Sequence, residues 1–141
     1  MVPLAIRREV ERRANRRCEY CGFPSAFAEA RFHVDHVIAE QHGGRTHVDN
    51  LAFACFPCNV YKGPNLSSVD PISGNVVRLF HPRRDRWLDH FEWNGARITG
   101  RTPVGRATVA LLRMNDLYAV AARQSLMEEG VFFPSRQDLP G

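Results

Sequence analysis

The chain has 141 residues, 44% of them hydrophobic and 24% charged, with a formal net charge of +4. That length and balance suit one compact domain with at most a second small lobe, and no stretch approaches the roughly 18 apolar residues of a membrane-spanning helix. Lys62 is the only lysine, so arginine carries nearly all the positive charge. Such a bias fits either bidentate contact with a polyanion or a preference for arginine codons.

The opening MVPLAIRREVERR has no apolar run of the signal-peptide kind, so a cytoplasmic location is expected. In residues 4–15, Ile6 and Val10, then Val10 and Ala14, stand four apart. This spacing predicts an amphipathic helix with Pro3 in its first turn. Its polar side carries Arg7, Arg8, Arg12 and Arg13 and leads on to Arg16 and Arg17. The stripe is either a solvated helix face or a phosphate-facing surface. On the second reading Arg12, Arg13, Arg16 and Arg17 contact nucleic acid.

The four cysteines form two C-x-x-C pairs, Cys18/Cys21 in CEYCG and Cys55/Cys58 in CFPCN, with none left over. A single redox motif explains one pair but not two. Four thiolates at this spacing suit one tetrahedral structural zinc. The 33 residues between the pairs exceed the loop of a zinc ribbon, so further structure is clamped inside the metal loop.

That inner segment reads as a strand over 31–38, a loop at EQHGGRT with Gly43-Gly44 supplying positive φ, and a second strand over 47–54. A helix from Pro57 to Tyr61 or Lys62 follows, stopped by Gly63. Residues 64–80 are rich in turn formers and carry a short strand, NVVRLF. HPRRDRW is a basic loop, and FEWNGARITG is a hairpin turning at Asn94-Gly95. Thr102-Pro103 starts a helix to about Met114, and Asn115-Asp116 starts another ending near Glu129, with Gly130 as its stop.

Several residues of the clamped segment carry reactive chemistry. An imidazole titrates near pH 6.5, so His36 can take a proton from water. Asp35 offers a hard oxygen to a divalent ion such as Mg²⁺, and Asn59 adds a neutral oxygen from the following helix. In a regular strand Asp35 and His36 point to opposite faces. They flank one phosphate only if the strand bends or ends there. His33 shares the Asp35 face and is a further candidate for orienting substrate or metal. Lys62 is a candidate phosphate ligand. His42, His47, His81 and His90 are given no site role, and Trp87, Phe91 and Trp93 are read as core.

Residues 18–63 resemble the HNH endonucleases, on CEYC, HVDHVIAEQHGG, VDNLAFAC and CNVYKG. The resemblance implies an α+β fold: residues 1–64 would hold the N-terminal helix and a zinc-supported ββα-metal core, and residues 65–141 a small α+β extension packed on it. It implies an endonuclease acting on DNA, double-stranded DNA above all. His36 would be the general base, and Asn50 would bond across the hairpin loop and steady it. Asn59 stands at the last motif position, often a histidine. An amide there favours Mg²⁺ or Mn²⁺ over a softer metal. One site per chain implies nicking by a monomer or double-strand cleavage by a homodimer. A non-catalytic zinc module that binds nucleic acid also accounts for the cysteines and arginines, but not for Asp35, His36, Asn50 and Asn59 occurring together.

Overall fold

The computed structural model describes residues 2–134. Helix α1 spans Leu4–Arg13, with Pro3 as its N-cap rather than inside its first turn. Its apolar side delivers Val10 and then Ala14 to the core, both buried. Asn15 and Arg16 then take positive φ and reverse the chain, so that Arg17 pairs with Pro24 around the first cysteine knuckle.

Strand β1, His33–His36, is shorter than the 31–38 expected. Its antiparallel partner β2 is Leu51–Ala54, with His33 opposite Ala54 and His36 opposite Leu51. The predicted start of β2 at residue 47 is corrected: Val48–Asn50 form a 3-10 turn. The reason is local hydrogen bonding. His47 Nδ1 accepts from the Asp49 amide at 3.2 Å, and the Asn50 side chain takes the Ile38 amide at 2.9 Å. Each bond withdraws a backbone group from the ladder. Helix α2, Phe56–Lys62, follows with Cys55 as N-cap and Gly63 ending it at φ +51°. It packs against β1.

The remainder adds two further hairpins. Strands β3, Ser67–Val69, and β4, Val76–Arg78, pair antiparallel. No apolar alternation marks β3 in the sequence. Helix α3 is a single turn, Trp87–His90, and leads into β5, Phe91–Asn94, which pairs with β6, Arg97–Gly100. Asn94 lies opposite Arg97, so the turn is Gly95-Ala96, one residue later than expected. Gly95 has φ +60°, which places glycine at the first central position of the two-residue turn, as a type II′ hairpin requires.

Helix α4, Pro103–Leu111, starts where expected, with Thr102 Oγ1 accepting from the Gly105 amide at 3.0 Å. It stops before Met114, because Arg113 adopts φ +52°. Helix α5 spans Leu117–Glu128 after Asp116 as N-cap.

One buried apolar cluster runs through both halves. Val10, Leu51 and Phe53 join Phe80, Trp87, Phe91, Ile98, Leu112 and Met114. Trp87 Nε1 donates to the Tyr20 carbonyl at 2.8 Å, tying α3 to the cysteine knuckle. Helix α4 covers β3, β4 and β6, and Arg106 grips the buried Asp70 with two bonds of 2.9 Å. That guanidinium holds the Asp70 carboxyl well below its usual range. No helix among the described residues is long and apolar enough to cross a membrane.

Candidate functional site

The two knuckles meet. All four cysteines are buried, and their sulfur atoms lie within 4.8 Å of one another. Zn–S bonds of about 2.3 Å in a tetrahedron set sulfurs roughly 3.8 Å apart, and Cys21 Sγ lies 3.7 Å from Cys55 Sγ. A disulfide needs about 2.05 Å, so this is ligand spacing and not a bonded pair. Hydrogen bonding to Cys18 and then to Cys55 and Cys58 draws the Cys21 thiol well down. Contacts with Cys18 and Cys21 push Cys55 and Cys58 up. Four buried thiols cannot all ionise beside one another without a cation. The donor set therefore fits a metal such as zinc, and no other group of three or more His, Cys, Asp or Glu ligand atoms clusters among the described residues.

Two long side chains reach this knuckle from the second half. Arg123 of α5 is fully buried and donates to the carbonyls of Ala96 and Met114 at 2.7 Å each. Burial pulls its guanidinium down, while charge on the four cysteines opposes that pull. Arg83 forms an ion pair with Glu19, which is itself buried between Cys18 and Cys21. Neither was legible in the sequence: Glu19 and Arg83 lie more than 60 residues apart, and Arg123 binds carbonyls 27 and 9 residues away.

The clamped hairpin ends in the polar cluster. β1 ends at His36, and Asp35 and His36 both still pair in the ladder, opposite Ala52 and Leu51, with different side-chain partners. His36 Nε2 lies 2.8 Å from Thr46 Oγ1 and 3.7 Å from Glu40 Oε1. Neither partner was singled out in the sequence. Asn50 bonds across the loop: its Oδ1 accepts from the Ile38 amide, and its Nδ2 donates to the carbonyls of Ile38 and Arg45, all at 2.9 Å. Only Gly43 of the glycine pair has positive φ, at +87°. Gly44 serves close approach instead, because a Cβ there would lie 1.7 Å from the Ile38 carbonyl oxygen.

Asp35 is turned inward. Its Oδ2 lies 3.1 Å from Lys62 Nζ and 3.3 Å from the Tyr20 hydroxyl. Burial pushes the Asp35 carboxyl up, and the Lys62 ammonium pulls the other way. Burial, with Asp35 beside it, raises Tyr20 well above the usual phenol range, so it stays protonated and donates. Asp35 Oδ1 has no partner among the described residues. Lys62 is 2% exposed and also donates to the His36 carbonyl at 3.2 Å. The expectation that it contacts phosphate is corrected: its charge is committed to Asp35. Asn59 sits half-buried on α2. His33 is exposed, its ring 6.2 Å from that of Phe56.

The arginine stripe divides. Arg12 is exposed and bonded to Glu9 at 2.7 and 3.0 Å, and Arg16 is exposed. Arg13 donates to the Leu51 carbonyl. Arg17 is buried, donates to the Gly22 carbonyl at 2.9 Å and lies over the Phe132 ring. As phosphate ligands Arg13 and Arg17 are corrected, because both satisfy backbone carbonyls at the knuckle and hairpin.

Residues 18–65 match the family model described as HNH endonuclease. No curated protein and no solved structure matches the chain. The matched segment holds both cysteine knuckles, the β1–β2 hairpin and α2, and with them His36, Asn50 and Asn59. The likeness to an HNH endonuclease domain thus covers residues 18–65 of this chain.

Proposed function

We propose that this protein is a metal-dependent endonuclease that hydrolyses phosphodiester bonds of DNA, with the β1–β2 hairpin and α2 as a ββα-metal core. The observation that carries the reading is the setting of His36 within the HNH match: it closes β1, Thr46 engages one ring nitrogen, and Asp35 precedes it. With Nε2–H donating to Thr46 Oγ1, the lone pair sits on Nδ1, which has no partner among the described residues. Nδ1 then takes a proton from water. The water oxygen attacks phosphorus, the bond from phosphorus to the 3′ oxygen breaks, and the products are a 5′-phosphate and a 3′-hydroxyl.

Asn50 sets the position of this base by closing the loop that carries Thr46. Lys62 and Tyr20 hold Asp35 Oδ2, leaving Oδ1 for a cation, and Asn59 offers a second hard donor from α2. These oxygens suit Mg²⁺ or Mn²⁺, which when bound supplies positive charge at the scissile phosphate and the departing oxygen. The four cysteines hold a structural zinc, a role separate from catalysis. Exposed Arg12 and Arg16 contribute phosphate contacts.

One observation favours a second reading. Lys62 already compensates Asp35, as it would in a non-catalytic zinc module that binds nucleic acid. Supercoiled plasmid incubated with the protein, with and without Mg²⁺ or Mn²⁺, separates the two. Metal-dependent conversion to nicked or linear DNA is expected. Binding with no conversion in either metal assigns the second reading.

A further inference from the structure

A cleft of 340 Å³ opens between the HNH domain and the second half of the chain. Its HNH wall is Val37, Ile38 and Lys62, so it begins at the residue after His36 and shares the lysine that holds Asp35. Leu66, Leu79 and Phe80 line it too, together with the polar Asn65, Arg78, His81 and Arg84. Asp85 also lines the cleft, but its charge is already met. Arg78 bonds it at 2.7 and 3.0 Å, and the His81 amide donates to it at 2.8 Å. Arg84 is exposed, and it pairs with no carboxylate among the described residues.

The cleft thus combines a mainly apolar lining with one exposed guanidinium, Arg84, that no carboxylate among the described residues engages. That pairing matches a nucleotide, whose base is covered by apolar side chains while its phosphate meets arginine. The volume lies at the small end of ligand sites, about 300–1,000 Å³, which admits one nucleotide unit but no base pair within a duplex.

We propose that this cleft is a nucleotide subsite that takes one unpaired nucleotide of the substrate strand beside the scissile phosphate, with Arg84 binding its phosphate. The proposal rests on the nuclease reading and refines it. DNA with an unpaired position, such as a single strand, a flap or a frayed end, is the preferred substrate over an unbroken duplex.

The test uses full-length His36→Ala protein, which binds without cutting. Fluorescence anisotropy follows its binding of a labelled single-stranded decamer and of the blunt duplex of the same sequence. The single strand should bind tighter. Adding Arg84→Ala should weaken single-strand binding about tenfold, the scale of one charged hydrogen bond, and duplex binding far less. Adding Leu66→Trp, which fills the cleft from a partly exposed position, should weaken it similarly, with circular dichroism confirming the fold. Arg101→Ala, an exposed arginine elsewhere, should change neither.

The proposal is overturned if the parent binds no single strand, or if Arg84→Ala leaves single-strand affinity unchanged. It is also overturned if Arg84→Ala weakens both ligands equally, which would make Arg84 a general phosphate contact. If wild-type protein cuts plasmid while these variants bind as the parent does, only the subsite fails. If the subsite behaves as expected and wild type cuts nothing, only the nuclease reading fails.

Discussion

His36 and Lys62 carry opposite kinds of prediction. His36 contributes its ring to the hairpin mouth and little to the core, so His36→Ala should keep the fold and the bound metal. Its cleavage rate should fall by about 10²–10⁴, the usual effect of losing a general base. Plasmid nicking, with circular dichroism as the fold control, checks this. Cleavage at the wild-type rate would place the base elsewhere. Lys62, by contrast, is buried against Asp35, so Lys62→Met leaves a carboxylate without its partner. Breaking such a pair costs about 3–5 kcal/mol near neutral pH.

The pH dependence of that loss follows from the sign of the Asp35 shift. Burial already raises this carboxyl, and without Lys62 the folded state holds it higher still. The variant then recovers stability as pH falls and Asp35 takes up a proton, and loses it as pH rises through the raised value. Urea denaturation of wild type and variant at acid and neutral pH measures the difference. A gap that widens toward acid would contradict this account.

At the scale of elements, the cysteine knuckles hold what the short strands cannot. Strands β1 and β2 have four residues each, and a two-stranded hairpin of that size is marginal alone. A metal on the four cysteines would tie both ends of the 33-residue segment, and its binding energy would become folding energy. Purified protein should carry about one zinc per chain by elemental analysis. Cys55→Ser should expose the backbone amides of β1 and β2 to rapid hydrogen exchange. Slow exchange in that variant would show that the apolar core suffices.

Much at this scale was legible from sequence. The Thr102 cap, the Gly63 stop and the strand-strand-helix order all follow from signals within a few residues. The misplaced start of β2 and the missed α3 have separate causes. Side chains took over backbone hydrogen bonds at Asn50 and His47, and α3 is too short for any periodicity to show.

For the molecule as a whole, the second half is bound to the first through buried contacts. Trp87 and Phe91 join the cluster around Phe53, and Arg123 brings a buried cation to the cysteines. A zinc ion on four thiolates would have a net double negative charge, which that cation would offset. Arg123→Met should therefore act twice. It strands the Ala96 and Met114 carbonyls, each costing about 1–3 kcal/mol, and it weakens retention of the metal. A lower melting temperature together with faster zinc loss to a chelator is expected. A lower melting temperature with unchanged zinc loss would leave Arg123 a structural role alone.

By itself the sequence determined the spacing of the two cysteine pairs, the His36, Asn50 and Asn59 pattern and most helix ends. Each of these depends on residue types at short or fixed separations. Tertiary structure decided which charges are spent. Arg17 and Lys62 stood as candidate phosphate contacts in the linear chain, yet both, like Arg123, lie buried against partners fixed by packing. Arg84 in the same basic loop as Arg83 stays exposed while Arg83 pairs with Glu19. The physical reason is that desolvation and pairing depend on positions in space. Residues 19 and 83 become neighbours only after the hairpins, helices and metal knuckle have packed around one core.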